Sequence, residues 1–518
     1  MTDRSVLSES ANPSSPLTVE VAIIGAGFGG LCTAIQLLER GESRFVLLEK
    51  ADEVGGTWRD NSYPGAACDV QSHLYSFSFA GKADWSQRYA PWNEIQDYIL
   101  DTTRRYGLRR YIRTGSEVCA AHFDESTGHW HLNTTRGDEV IARHVVLASG
   151  PLHVPSTPRF KGIERFKGKS FHSAQWDHGY DLRGKRVISI GTGGSAIQYC
   201  PEIAPAVDKL YVLQRSPAWV IPRDTRRYPQ WRKTLFARVP LLRKLHRARL
   251  YWSNESRVWP IFTPWLARRL QSLAGLFIRH QVQDPDLVRR LTPDYVLGCK
   301  RILISNKWYP MFNRANVELV DDGIAEIREH SVVTRSGREL LVDCIIYGTG
   351  FQVDPRLYMK DFPCSGLPGH ELMKDWKDGS EAYLGVHVAG YPNLHQLVGP
   401  NTALGHNSII FMIEAQVHYI LESIQALRAR GADFLDVRPD AQRRFNERVQ
   451  DALKGTVWNS GCVSWYQQAD GKNFSMWPWS TWRYWLATRH LPAHDYRFLR
   501  CSSKVTAARQ ASTQAEPA

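Results

Sequence analysis

The run Val19-Glu20-Val21-Ala22-Ile23-Ile24 leads directly into Gly25-Ala26-Gly27-Phe28-Gly29-Gly30, and Leu31 to Arg40 then carries apolar residues at helical spacing. Strand, glycine turn and helix in that order open a nucleotide-binding α/β unit. The glycines of the G-x-G-x-x-G pattern serve different ends. Gly25 makes the tight turn, Gly27 lets backbone approach a pyrophosphate, and Gly30 allows helix to pack on strand. The helix N-terminus then faces the phosphates. Phe45 to Leu48 reads as the second strand, and Glu49 closes it 24 residues after Gly25, where a carboxylate can accept hydrogen bonds from a ribose diol.

The arrangement recurs further along. Arg186 to Ile190 is a second apolar run, Gly191-Thr192-Gly193-Gly194-Ser195-Ala196 a second turn, and Leu210 to Leu213 the strand after its helix. Ala196 replaces the third glycine and is small enough for the same packing. The residue 24 positions after Gly191 is Arg215, with Ser216 beside it. A carboxylate there would repel a 2′-phosphate, whereas a guanidinium holds it through paired, charge-assisted hydrogen bonds. The second unit is therefore expected to take NADPH. By analogy with other two-dinucleotide flavoproteins, the N-terminal unit is expected to take FAD. The fold class predicted is α/β, with two Rossmann-like dinucleotide-binding domains and a helical insertion.

The chain has 518 residues, 43% hydrophobic and 23% charged, enough for two or three domains. Residues 1–18 read as a disordered N-terminus and 19–150 as the first part of the FAD domain. Pro151, Pro155 and Pro158 mark a linker into an NADPH domain at 151–340, whose helical insertion spans about 225–295. Ile345-Ile346 and Gly348-Thr349-Gly350 read as a strand returning to the first domain, with 341–501 as its second part. Ile410, Ile413, Val417, Ile420 and Ile424 predict a long helix from Asn407 to Arg428. Residues 502–518, small and polar, read as a disordered tail.

Neither a leader-like apolar stretch nor a membrane-length run occurs, which points to the cytoplasm. The nine cysteines form no C-x-x-C pair and no Cys/His cluster, so they are read as reduced thiols and no metal is expected. The formal charge of +13 is local: Arg223 to Arg290 holds 16 Lys/Arg against 4 Asp/Glu, interleaved with Trp231, Trp252, Trp259 and Trp265. A solvated helical face and weak peripheral contact with an anionic membrane both fit that segment. No nucleic-acid partner and no obligate protein partner are expected.

Between the two glycine loops lies Phe166-x-Gly168-x-x-x-His172-x-x-x-Trp176-Asp177, which resembles the fingerprint of type I Baeyer–Villiger monooxygenases. Related N- and S-oxygenating flavin monooxygenases share the Phe, Gly and His but usually end in Tyr or Phe, so Trp176-Asp177 is the discriminating pair. The resemblance runs from Val21 to about Trp485. Gly55-Gly56-Thr57-Trp58 and Tyr63-Pro64-Gly65-Ala66-Ala67-Cys68-Asp69 resemble the segment that crosses the flavin ring. Gly298-Cys299-Lys300-Arg301 resembles the family's Lys-Arg pair before a strand, followed here by Trp308-Tyr309. Gly348-Thr349-Gly350 departs mildly from the family's Ala-Thr-Gly, and the loop at Asn401 departs enough that substrate preference is not implied.

The resemblance implies that FAD, NADPH and O₂ convert a hydrophobic ketone to an ester or lactone through a C4a-peroxyflavin, with sulfoxidation as a side activity. Arg301 would be the catalytic cation, because arginine keeps its charge in a water-poor site. Asp69 would pair with it, although a merely structural salt bridge gives the same pattern. Lys300 would join Arg215 at the 2′-phosphate. Thr57, Trp58, Asp60, Tyr75 and Val118 would contact FAD, and Asn407 would lie near its ring. His172 is read as a conformational residue at the joint between domains. Two other classes stay open: an N- or S-oxygenase, and an NADPH–flavin reductase serving a protein partner.

Overall fold

The strand Leu17–Ile24 is the axis of the first sheet, pairing in parallel with Phe45–Leu48 on one side and Glu139–Leu147 on the other. Val21, Ala22 and Ile23 are fully buried, as expected of a strand covered on both faces. This computed structural model describes residues 16–259, 263–468 and 470–501. Most of the expected disordered N-terminus and the whole expected tail lie outside the described residues. Leu17 and Thr18, read as part of that N-terminus, already belong to the first strand.

Beyond Glu139–Leu147 the sheet continues through an antiparallel meander, His129–Thr134 and Val118–Asp124, to an edge strand at Cys364–Ser365. The helix Phe28–Glu39 packs against the long helix Ile409–Ala429, and both contribute to the core on this sheet. Ser408 caps the long helix, its hydroxyl accepting from the Ile410 N–H at 3.3 Å. The helix therefore starts two residues after Asn407 and leaves that side chain in the preceding loop.

A second sheet has five parallel strands in the order Val317–Val320, Lys209–Leu213, Arg186–Ile190, Cys344–Tyr347, Lys169–His172. Cys344–Tyr347 thus belongs to the second sheet and does not return to the first. The turn after it makes the return: Pro155 and Phe351 form an antiparallel bridge, and Ser156 N–H donates to the Gly350 carbonyl at 2.8 Å. The outgoing and returning chains are thereby joined side by side where they cross between units.

The insertion consists of the helices Gln230–Arg238, Pro240–Glu255, Pro264–Gln281 and Pro285–Leu291. Three of them open on proline, whose missing N–H costs nothing in the first turn. The second helix is fastened to the first unit. Asn254 and Gln71 exchange amide hydrogen bonds of 2.8 and 3.1 Å, and Arg247 donates to the carbonyls of His73, Leu74 and Ser76. Among the described residues no helix is long and apolar enough to cross a membrane.

Candidate active site

The two glycine loops are built alike. Gly25 has φ +105°, and a β-carbon on it would stand 2.7 Å from the Ala148 carbonyl oxygen; Gly191 has φ +108° and the same relation, at 2.5 Å, to Gly348. Each loop is pressed against the end of its neighbouring strand, which only glycine tolerates. A β-carbon on Gly30 would fall 1.9 Å from the Gly25 carbonyl oxygen, so this glycine closes helix onto loop. Gly27 meets nothing nearer than the Cα of Gly56 at 3.9 Å, and Gly193 nothing within 4 Å. The middle glycines therefore leave open backbone beside a helix start, the shape a pyrophosphate requires.

Glu49 is buried, with its carboxylate accepting from Ala26 N–H at 2.8 Å, Ala51 N–H at 3.0 Å and Arg59 Nη1 at 3.1 Å. It braces the first loop, and a ribose diol would share it with these donors. Thr57, Trp58 and Asp60 lie on the short helix Thr57–Asp60 that follows Gly56. Trp58 Nε1 donates to the Tyr75 hydroxyl at 3.2 Å, and Asp60 is paired with Arg59. Val118 begins the meander strand. Asn407 Nδ2 donates to the buried carboxylate of Glu255 at 2.7 Å, and Glu255 also accepts from the Thr481 backbone N–H at 2.7 Å and its hydroxyl at 2.6 Å.

At the second loop Thr192 donates to the Ser216 carbonyl at 3.1 Å, and Lys300 Nζ donates to the Ser216 hydroxyl at 3.2 Å. Ser195 precedes the helix Ala196–Ile203. Burial, and then the like charge of Arg215, lower the Lys300 pKa. Lys300 thus feels the like charge of Arg215, which Asp294 partly offsets. An arrangement of that kind is relieved by a bound anion.

Arg301 donates from Nε to Asp69 Oδ2 at 3.0 Å and from Nη2 to the same oxygen at 2.5 Å. Asp69 raises the arginine pKa further, ahead of the opposing effect of burial, so the guanidinium is permanently charged. The pair is not sealed from solvent: 43% of the Arg301 side chain and 31% of the Asp69 side chain remain accessible. The charged guanidinium is therefore open to an approaching ligand. Tyr466 borders it; burial pushes its pKa up to about 12, which keeps the phenol neutral.

Within the fingerprint, a β-carbon on Gly168 would meet the Asp343 carbonyl oxygen at 2.4 Å and the Phe166 ring at 2.5 Å. His172 ends its strand, caps the next turn by accepting from Ala174 N–H at 3.1 Å, and lies edge-on to Phe351 at 5.7 Å. It therefore sits beside the crossing of the two connecting chains. Burial lowers its pKa. Trp176 packs between Phe171 and Tyr199, and half-buried Asp177 pairs with Lys169 at 2.5 Å.

Several residues escaped the sequence reading. Gln198 on the second unit's helix accepts from the Tyr63 hydroxyl at 3.0 Å and donates to the Ala67 carbonyl at 2.9 Å, so it holds the segment leading to Asp69. No spacing announces it. Glu255 did leave a signal, as the single carboxylate among the eleven cations of residues 230–281. The reading of all nine cysteines as reduced is overturned at one pair: Cys299 and Cys462 form a disulfide across 163 residues. It ties the Lys300-Arg301 loop to the segment that carries Tyr466, and pairing at such separation has no local signature.

Residues 18–263 match the family model described as flavin-binding monooxygenase-like. A Baeyer–Villiger monooxygenase of Pseudomonas aeruginosa is 43% identical over 514 residues, covering 98% of this chain and 97% of the relative. Another, from Streptomyces coelicolor, is 44% identical over 490 residues and covers 93% of each. The solved structure of an oxidized steroid monooxygenase bound to NADP superposes with a TM-score of 0.85 at 30% identity, covering 93% of this chain and 100% of that one.

Proposed function

Since the chain belongs to the Baeyer–Villiger monooxygenases of the flavin-binding monooxygenase-like family, we propose that the Asp69–Arg301 pair is the centre at which a ketone is converted to an ester or lactone. The enzyme is a flavin monooxygenase dependent on NADPH and O₂. Overall, one atom of O₂ enters between the carbonyl carbon and its neighbour, the other leaves as water, and NADPH supplies the electron pair. Bound flavin, once reduced, supplies the chemistry that activates O₂.

This chain's own residues bind, orient and stabilise. The loop Gly25–Gly30, Glu49 and the Thr57–Asp60 helix would hold FAD, with Tyr75, Val118 and Asn407 around it. The loop Gly191–Ala196 would hold NADPH, with Arg215, Ser216 and Lys300 on its 2′-phosphate. When oxygen adds to the ketone, the carbonyl oxygen becomes anionic, and the fixed guanidinium of Arg301 stabilises that charge. Asp69 keeps the guanidinium aimed. We read the substrate as a hydrophobic ketone, in keeping with Tyr466 beside Arg301 and its ring packing on Trp458 and Trp465. The cytoplasm, where NADPH is made, is the proposed location.

The observation that carries this reading is the accessible Asp69–Arg301 pair, next in sequence to Lys300, which is bonded to Ser216 beside the second glycine loop. The test is incubation with NADPH, ¹⁸O₂ and a panel of ketones, analysed by mass spectrometry. An ester carrying one ¹⁸O is expected. NADPH oxidation with no ester from any ketone, or oxygenation of amines and sulfides alone, would overturn it.

A further inference from the structure

Of the 19 large hydrophobic side chains exposed among the described residues, 11 fall within residues 231–276 of the insertion. Clustered exposure of this kind marks a surface that something covers. On the helix Pro240–Glu255, Leu241, Leu245 and Trp252 share one face and are 64%, 57% and 59% exposed. On Pro264–Gln281, Trp265, Leu273 and Leu276 share another, at 61%, 62% and 58%. Trp231 and Leu235 repeat the pattern on Gln230–Arg238. Three helices thus present apolar stripes to the outside.

The charge around the stripes has one sign. Residues 230–281 carry eleven Lys/Arg and a single carboxylate, Glu255, which is buried against Asn407 and Thr481. Exposed Arg238, Lys244, Arg249, Arg268, Arg269 and Arg279 form no ion pair among the described residues. Arg269 stacks over the exposed Trp265 ring at 5.6 Å.

We infer that this face docks on the surface of an anionic phospholipid bilayer. Leu and Trp at helical spacing bury in the headgroup–acyl boundary, while Lys and Arg extend their stems along the helix and place their charges among lipid phosphates. A second copy of the same face would set cations against cations, which disfavours self-association. Nucleic acid would engage the cations but leave the leucine stripes uncovered. The face is rigidly attached, because Arg247 and Asn254 fasten its second helix to the segment 71–76. Docking does not depend on the identity of the reaction.

The test is co-sedimentation of the full chain with vesicles of phosphatidylcholine alone and of phosphatidylcholine with phosphatidylglycerol in equal parts, at low and high salt. We expect at least tenfold stronger partition to the anionic vesicles, falling as salt rises. The triple variant Trp231→Ser/Trp252→Ser/Trp265→Ser and the charge variant Lys244→Glu/Arg249→Glu/Arg268→Glu should each lose most of that binding, while keeping the wild-type circular dichroism and ketone oxidation. Equal partition to both vesicles, no partition to either, or a salt-resistant dimer abolished by the triple variant would overturn the inference. So would binding to a DNA duplex stronger than to the anionic vesicles.

Discussion

Asp69 and Arg301 meet at 3.0 Å although 232 residues separate them. Asp69 follows a segment held by Gln198 of the second unit, and Arg301 follows Lys300, which is bonded to Ser216 beside the second glycine loop. The pair therefore closes only when both units are correctly placed. Asp69→Ala leaves the guanidinium charged but free to swing. Misplacement of a reacting group by about 1 Å costs on the order of 10²-fold in rate. Ketone turnover, measured as ester formed, should fall by that order in Asp69→Ala, and wild-type turnover would show that the aspartate does not aim Arg301.

Arg215 and Lys300 should decide the choice of coenzyme. Hydrogen bonds to charged groups contribute roughly 1.5–3 kcal/mol, so Arg215→Ala and Lys300→Ala should each raise the KM for NADPH by about 10- to 100-fold and leave that for NADH nearly unchanged. The pH dependence has a definite sign. Burial and Arg215 lower the Lys300 pKa, so the free enzyme loses this charge at a pH below that of an ordinary lysine. NADPH binding should weaken as pH rises through that lowered value, and Lys300→Arg should flatten the profile. A KM for NADPH equally pH-dependent in Lys300→Arg would remove Lys300 from the site.

The Cys299–Cys462 link predicts a thiol count and a stability change. Reduction of the unfolded wild type should release two additional thiols, and reduction of the double variant Cys299→Ser/Cys462→Ser none. Disulfides contribute roughly 2–4 kcal/mol, so the variant should unfold at a lower temperature. Identical melting curves would mean that the link does not hold the Lys300-Arg301 loop.

Gly168 tests why the fingerprint contains a glycine. A methyl group there would stand 2.4 Å from the Asp343 carbonyl oxygen and 2.5 Å from the Phe166 ring. Overpacking of this kind costs roughly 1–3 kcal/mol. Gly168→Ala should lower the melting temperature and weaken NADPH binding, since the displaced strand leads to His172 and the crossing. A fully stable variant would contradict the packing role.

The turns of the two glycine loops were legible because their glycines answer local demands: a positive φ at Gly25 and Gly191 and a close packing at Gly30. The long helix was legible from its spacing, within two residues at its start. The strand Cys344–Tyr347 stays in the second sheet rather than returning to the first domain, and an apolar run does not say which neighbours it pairs with. Gln198, Tyr466 and the Cys299–Cys462 link were invisible for a related reason. Their partners are distant in sequence, and an isolated glutamine, tyrosine or cysteine has no period to betray it. Asp69 and Arg301 were named from a resemblance, and no property of either residue alone would have joined them.

The Arg301 charge should stabilise the developing oxyanion of the ketone. The most direct measurement compares ester formation by wild type, Arg301→Lys and Arg301→Ala on a ketone that the wild type oxidises, with FAD content and NADPH binding recorded for each. Removing one such stabilising group costs on the order of 10²–10³-fold in rate. Arg301→Ala should lose ester formation by at least that order while retaining FAD and NADPH binding, with Arg301→Lys impaired but less so. Ester produced by Arg301→Ala at the wild-type rate would contradict the account.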